Sequence, residues 1–111
     1  MQPKHDVENV VGVALFALGR GAQGLAIELD AVQLVRDRFA ARARGAVDRR
    51  HWRKKWNREH RYLLGNAEAL GRCAARLAGE DRRELITTAD VELAMLKLRG
   101  RLPVAGRWCP F

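Results

Sequence analysis

The chain has 111 residues and a net charge of +8, from 21 Lys/Arg against 13 Asp/Glu, and 48% of it is apolar. That length suits one small domain with a modest core, and that apolar content excludes disorder throughout. Alanine, leucine and arginine dominate and there are only three prolines, which favours helix over sheet.

Residues 1–5 read as a loose start. Asp6 can cap a helix from Val7 to Leu18, in which Val7, Val10, Val11, Ala14, Leu15 and Leu18 keep a three/four spacing. Val13, Phe16 and Ala17 widen its apolar side, so this helix should be buried or paired with another subunit. Its apolar run, Val10 to Leu18, ends after nine residues, well short of the roughly 20 that a membrane span needs. A signal peptide is disfavoured because Asp6 and Glu8 stand where positive charge is wanted. Gly19, Gly21 and Gly24 supply the break that follows.

A second helix is expected from Ala22 or Leu25 to Ala43. Leu25, Leu29, Val32, Phe39 and Ala43 would line one side, with Ile27, Leu34 and Val35 broadening it. Acids near its start, Glu28 and Asp30, and arginines near its end suit the helix dipole. Gly45 should stop it. Asp48 is then the natural N-cap of a third and much longer helix, the spine of the chain, reaching to Gly79. One seam runs along that spine: Trp52, Trp56, Leu63, Ala67, Leu70, Ala74 and Leu77, all at helical steps.

Glu80 to Glu84 reads as a charged turn, followed by the apolar pair Leu85-Ile86. Thr87, with Asp90 three residues on, approximates a capping box for a last helix buried through Val91, Ala94, Met95 and Leu98. Gly100 ends it and Pro103 prevents continuation. The expectation is an all-α fold of about four helices without a sheet: one domain over residues 1–103, then a tail of 104–111 holding Trp108, Cys109 and Phe111. No internal repeat or low-complexity segment is evident. Cys73, beside the seam, reads as a buried free thiol. Two cysteines make no disulfide framework, so a reduced, cytoplasmic setting fits.

The end of the chain carries a resemblance. Ala74-Ala75-Arg76-Leu77-Ala78-Gly79, then Leu85-Ile86-Thr87-Thr88-Ala89-Asp90-Val91-Glu92-Leu93-Ala94, is similar to the close of a histone fold of the archaeal or bacterial type. The resemblance implies a helix over Leu25–Arg44, a long central helix over Arg49–Gly79 and a short one over Thr87–Arg99, a core of about residues 25–100. It also implies head-to-tail pairing, in which the first loop of one chain meets the second loop of its partner. The departures are a longer second loop, Leu85 where a threonine is often found, and the extra N-terminal helix. The same ending also resembles the helical lid domains of AAA+ ATPases.

The charge is concentrated. From Arg42 to Arg61 there are nine Lys/Arg and two acids, a local +7, so the rest of the chain carries only +1. Such a block is the electrostatic footprint of a nucleic-acid partner, duplex DNA first, bound through phosphates with weak sequence preference. The candidate contacts are Arg42, Arg44, Arg49, Arg50, Arg53, Lys54, Lys55 and Arg58. Under the histone-like resemblance, Arg82 and Arg83 of a dimer partner join them. Neutralising about five phosphates would give a log–log salt slope near −4.5. Trp52 and Trp56 sit in the seam and read as core or dimer interface, with base stacking as the alternative.

Other classes find little in the residues. His51 and His60 lie nine apart, on opposite sides of a helix, so they share no metal there. The chain contains no serine and no Cys-x-x-Cys. Gly19, Gly21 and Gly24 spell a phosphate-loop pattern, but without the strand that the pattern requires. An enzyme, a metal or a cofactor is therefore not expected. The expected partners are nucleic acid and a second copy of the chain, in the cytoplasm and, with DNA, at the nucleoid. A membrane-surface role ranks behind these. The competing readings are a helical protein–protein interaction or lid-like module facing an acidic partner, and a helix-turn-helix regulator. The latter's turn, Glu80 to Thr87, would be long for that motif.

Overall fold

The computed structural model describes the backbone of residues 3–47 and 52–99, and the side chains of 8–9, 11–41 and 65–99. Four helices make up most of it: α1 (Pro3–Gly21), α2 (Leu29–Val47), α3 (Trp52–Glu80) and α4 (Thr88–Leu98). Two two-residue strands, β1 (Ala26–Ile27) and β2 (Leu85–Ile86), lie between α1 and α2 and between α3 and α4. The all-α reading with one long helix holds. The expectation of no sheet does not, because β1 and β2 pair in parallel. Two residues carry no periodic signal, and their partner lies far along the chain, so no sequence pattern could have announced that pair.

The spine is unbroken through Glu59 and His60. At about 1.5 Å per residue its 29 residues span about 44 Å, close to the 46 Å long dimension of the described body. Its seam is buried as expected at Ala67, Leu70, Ala74 and Leu77; the side chains of Trp52, Trp56 and Leu63 lie outside the described residues, as does Asp48. α1 lies across α3 and also packs on α2, while α4 packs on α3. The core is built mainly from small and medium side chains, Ala14, Leu18, Val35, Leu70, Ile86 and Val91, with Phe39 the largest of those fully buried.

α2 corrects the sequence reading in two ways. It starts at Leu29, because Leu25 to Ile27 are spent on the turn and β1, and it continues through Gly45 to Val47. Of the expected side, Val35 and Phe39 are buried and Val32 and Leu34 half-buried, but Leu29 is not. The buried side is Ala31, Val35 and Phe39, at steps of four, while Leu29 is 84% exposed. α1 buries Val11, Ala14, Ala17 and Leu18 but leaves Phe16 and Val13 outside. Cys73 is half-buried, and that burial pushes its thiol up. No helix among the described residues is long and apolar enough to cross a membrane.

An internal repeat appears in the structure that the residues conceal. Both halves run helix, turn, strand, helix. Ala26 stands opposite Leu85 and Ile27 opposite Ile86, an offset of 59 residues (85 against 26). The same offset relates Gln23 (φ 54°) and Arg82 (φ 56°), each in the left-handed region where a helix ends. In both strands the second residue faces inward: Ile86 is fully buried and Ile27 half-buried.

Candidate nucleic-acid interface

Arg42 and Arg44 ride on the last turns of α2, and Arg53, Lys54, Lys55 and Arg58 on the first turns of α3. The side chains of all six fall outside the described residues, and Arg49 and Arg50 lie outside them altogether. Arg82 and Arg83 sit on the turn after α3. Along that helix, Arg53 and Arg82 are separated by about 40 Å, at 1.5 Å per residue. Within one chain the two groups therefore stand at opposite ends of the spine.

The turn after α3 is described in full. Arg83 N–H donates to the Ala78 carbonyl at 2.9 Å and Arg82 N–H to the Gly79 carbonyl at 3.0 Å. With Arg82 left-handed, this is a Schellman ending that satisfies the last carbonyls of the helix. It also aims the Arg83 side chain at the start of α4. There its guanidinium donates to both oxygens of Asp90, 2.6 Å to Oδ2 and 2.7 Å to Oδ1, and further to Asp81 at 2.9 Å and the Leu85 carbonyl at 3.2 Å. Asp90 in turn closes the expected capping box: Thr87 N–H donates to Oδ2 at 2.9 Å, and Asp90 N–H to the Thr87 hydroxyl at 3.3 Å. Two carboxylates thus hold Arg83, and its acidity is weakened further. Arg82 is exposed and makes no ion pair among the described residues.

Arg82 occupies a backbone conformation that costs an L-residue about 1 kcal/mol and costs glycine nothing. Arg82→Gly should therefore raise stability by about 0.5–1 kcal/mol. A urea titration showing a lower midpoint for this variant would contradict the αL ending. If Arg82 also meets phosphate, the same variant should bind duplex DNA more weakly while being more stable.

A second polar group lies where α1 crosses α3. Glu68 accepts from Arg20 at 3.0 Å and from Arg72, one turn further along α3, at 3.2 Å. Nothing in the sequence pointed to this group, because Arg20 and Glu68 are 48 residues apart. Among the described residues there is no cluster of three or more His, Cys, Asp or Glu able to hold a metal ion. No protein family, no curated protein and no solved structure matches the chain.

Proposed function

We propose that the protein binds nucleic acid, duplex DNA first, through phosphate contacts made by the end of α2 and the first turns of α3. The carrying observation is the local +7 between Arg42 and Arg61, most of it carried by two consecutive helices, α2 and α3. The helical period supports it further. At about 100° per residue, Lys54 and Arg58 fall on the side of α3 opposite the seam, whereas Lys55 falls toward Leu77 and Arg53 in line with Gly71. Ala67, Leu70 and Ala74 mark the side that is turned to the core. Contacts to phosphate carry no sequence information directly, so the expected sequence preference is weak. Arg83 serves the fold in this reading, since Asp81 and Asp90 match its charge. Self-association into a dimer, and a cytoplasmic, nucleoid-associated location, belong to the same reading. Phe16 and Leu96, 71% and 60% exposed, support the dimer.

A helical interaction module, similar to the AAA+ lid, is the second reading. It is favoured by one observation: β2 already takes a strand partner inside its own chain. Head-to-tail histone pairing would join that second loop to another subunit.

The two separate experimentally. Arg49, Arg50, Arg53 and Lys54 are replaced together by alanine, the best helix former. The expected result is unchanged helicity, duplex affinity reduced at least tenfold for unrelated sequences, and a salt slope smaller by nearly one unit per lost phosphate contact. Unchanged affinity in the folded variant would remove the basic block from the function. A parent protein that binds no duplex at low salt would favour the interaction module.

A further inference from the structure

Beside the α1–α3 crossing the surface opens into a cleft of about 340 Å³. Its floor is the turn after α1, at Gly21, Gln23 and Leu25; its wall is α3, at Arg72, Ala75 and Arg76. The volume equals that of about eleven waters at about 30 Å³ each, enough for a phosphate group with part of its hydration.

Charge in and around this cleft is unbalanced. Arg20, Arg72 and Arg76 share this surface with Glu68, which holds the first two, and with Glu80, one turn beyond Arg76 on α3. Arg76 is exposed, and its side chain makes no hydrogen bond or ion pair among the described residues. The repeat shows how the two turns differ. At the positions of Asp81, Arg83 and Asp90 in the second turn, the first turn has Ala22, Gly24 and Ala31, by the offset that the strand pair sets. The second turn neutralises its arginine within itself. The first has no charged side chain at those positions, so the arginines beside it come from α1 and α3.

We propose that this cleft is an oxyanion site that takes a phosphate group between Arg72 and Arg76. Glu68 orients Arg72 and leaves the outer part of its guanidinium free, and Arg76 supplies a second fork one turn along α3. Paired guanidinium forks match the oxygens of a phosphate in geometry as well as charge. The phosphate could come from a nucleic-acid backbone or from a small phosphate-bearing ligand. By the helical period, Arg72 and Arg76 lie on the same side of α3 as Lys54 and Arg58, which makes the backbone the expected source. The cleft itself stands without the basic block; only its link to nucleic acid rests on the proposed function.

The test follows backbone amide shifts of the full chain while inorganic phosphate is titrated at constant ionic strength, then repeats the titration with a short DNA duplex. Phosphate should move the amides of Gln23, Ala75 and Arg76 saturably. Arg76→Gln should weaken that response about tenfold, and Arg72→Gln with Arg76→Gln should abolish it, both with unchanged melting temperature. Duplex moving the same amides identifies backbone phosphate. Phosphate moving them and duplex leaving them still identifies a small phosphate ligand, and does so whether or not the basic block binds DNA. No saturable shift in the parent, or an equal response in the folded Arg76→Gln protein, overturns the site.

Discussion

Gly71→Ala should destabilise the fold by about 3 kcal/mol, against the direction that helix propensity alone predicts. Gly71 lies inside α3, where alanine ordinarily gains about 1 kcal/mol over glycine. Here a Cβ would land on the Leu18 carbonyl oxygen and 3.1 Å from the Ala22 nitrogen. These are backbone atoms of α1 and the turn that follows it, and they cannot swing aside as a side chain can. Gly21 is the reciprocal case, since its added Cβ would meet the Glu68 carbonyl. The two glycines let the helix backbones touch where they cross, which brings Arg20 within reach of Glu68. Gly65, also in α3, has nothing within 4 Å of its would-be Cβ among the described residues. Gly65→Ala should therefore stabilise by about 1 kcal/mol. Denaturant midpoints moving in opposite directions for the two variants would establish the crossing; equal shifts would refute it.

Asp90→Ala should cost about 2 kcal/mol, from the loss of a capping bond and a charge-assisted pair at a site that is 6% exposed. The Arg83 guanidinium holds the Asp90 carboxyl down at about 2, from an ordinary 3.8; burial opposes this, and the Thr87 N–H and hydroxyl reinforce it. The fold thus favours the ionised form. That contribution is complete above about pH 4 and is lost as pH falls from there through about 2. Unfolding midpoints of the parent should drop across this window. Arg83→Met, which removes the largest cause, should flatten the drop. A variant that keeps the parental acid profile would show that other carboxylates set it.

The helices were legible wherever a buried face repeats over several turns. Ala67 to Leu77 and Val91 to Leu98 show such repeats, and the Thr87–Asp90 box was readable because its partners are three residues apart. The start of α2 was misplaced because Leu25 and Ile27 look as apolar as the helix they precede. Sequence spacing could not tell an extended pair from a first helical turn. The pairing of β1 with β2, the repeat it reveals and the Arg20–Glu68–Arg72 group all join residues distant in sequence.

The candidate site divides in the same way. The sequence by itself determined the block of charge from Arg42 to Arg61 and the helical character of the segments that carry it. Both are local properties: charge density along the chain and the 3.6-residue period. Only the tertiary structure decided that Arg83 is taken by Asp90, that Arg72 is held by a glutamate it shares with Arg20, and that Arg76 stands over an open cleft. Each of these follows from where two glycines let α1 cross α3 and where a left-handed residue turns the chain back. The energy of such contacts depends on distances across the fold, which no spacing along the chain encodes.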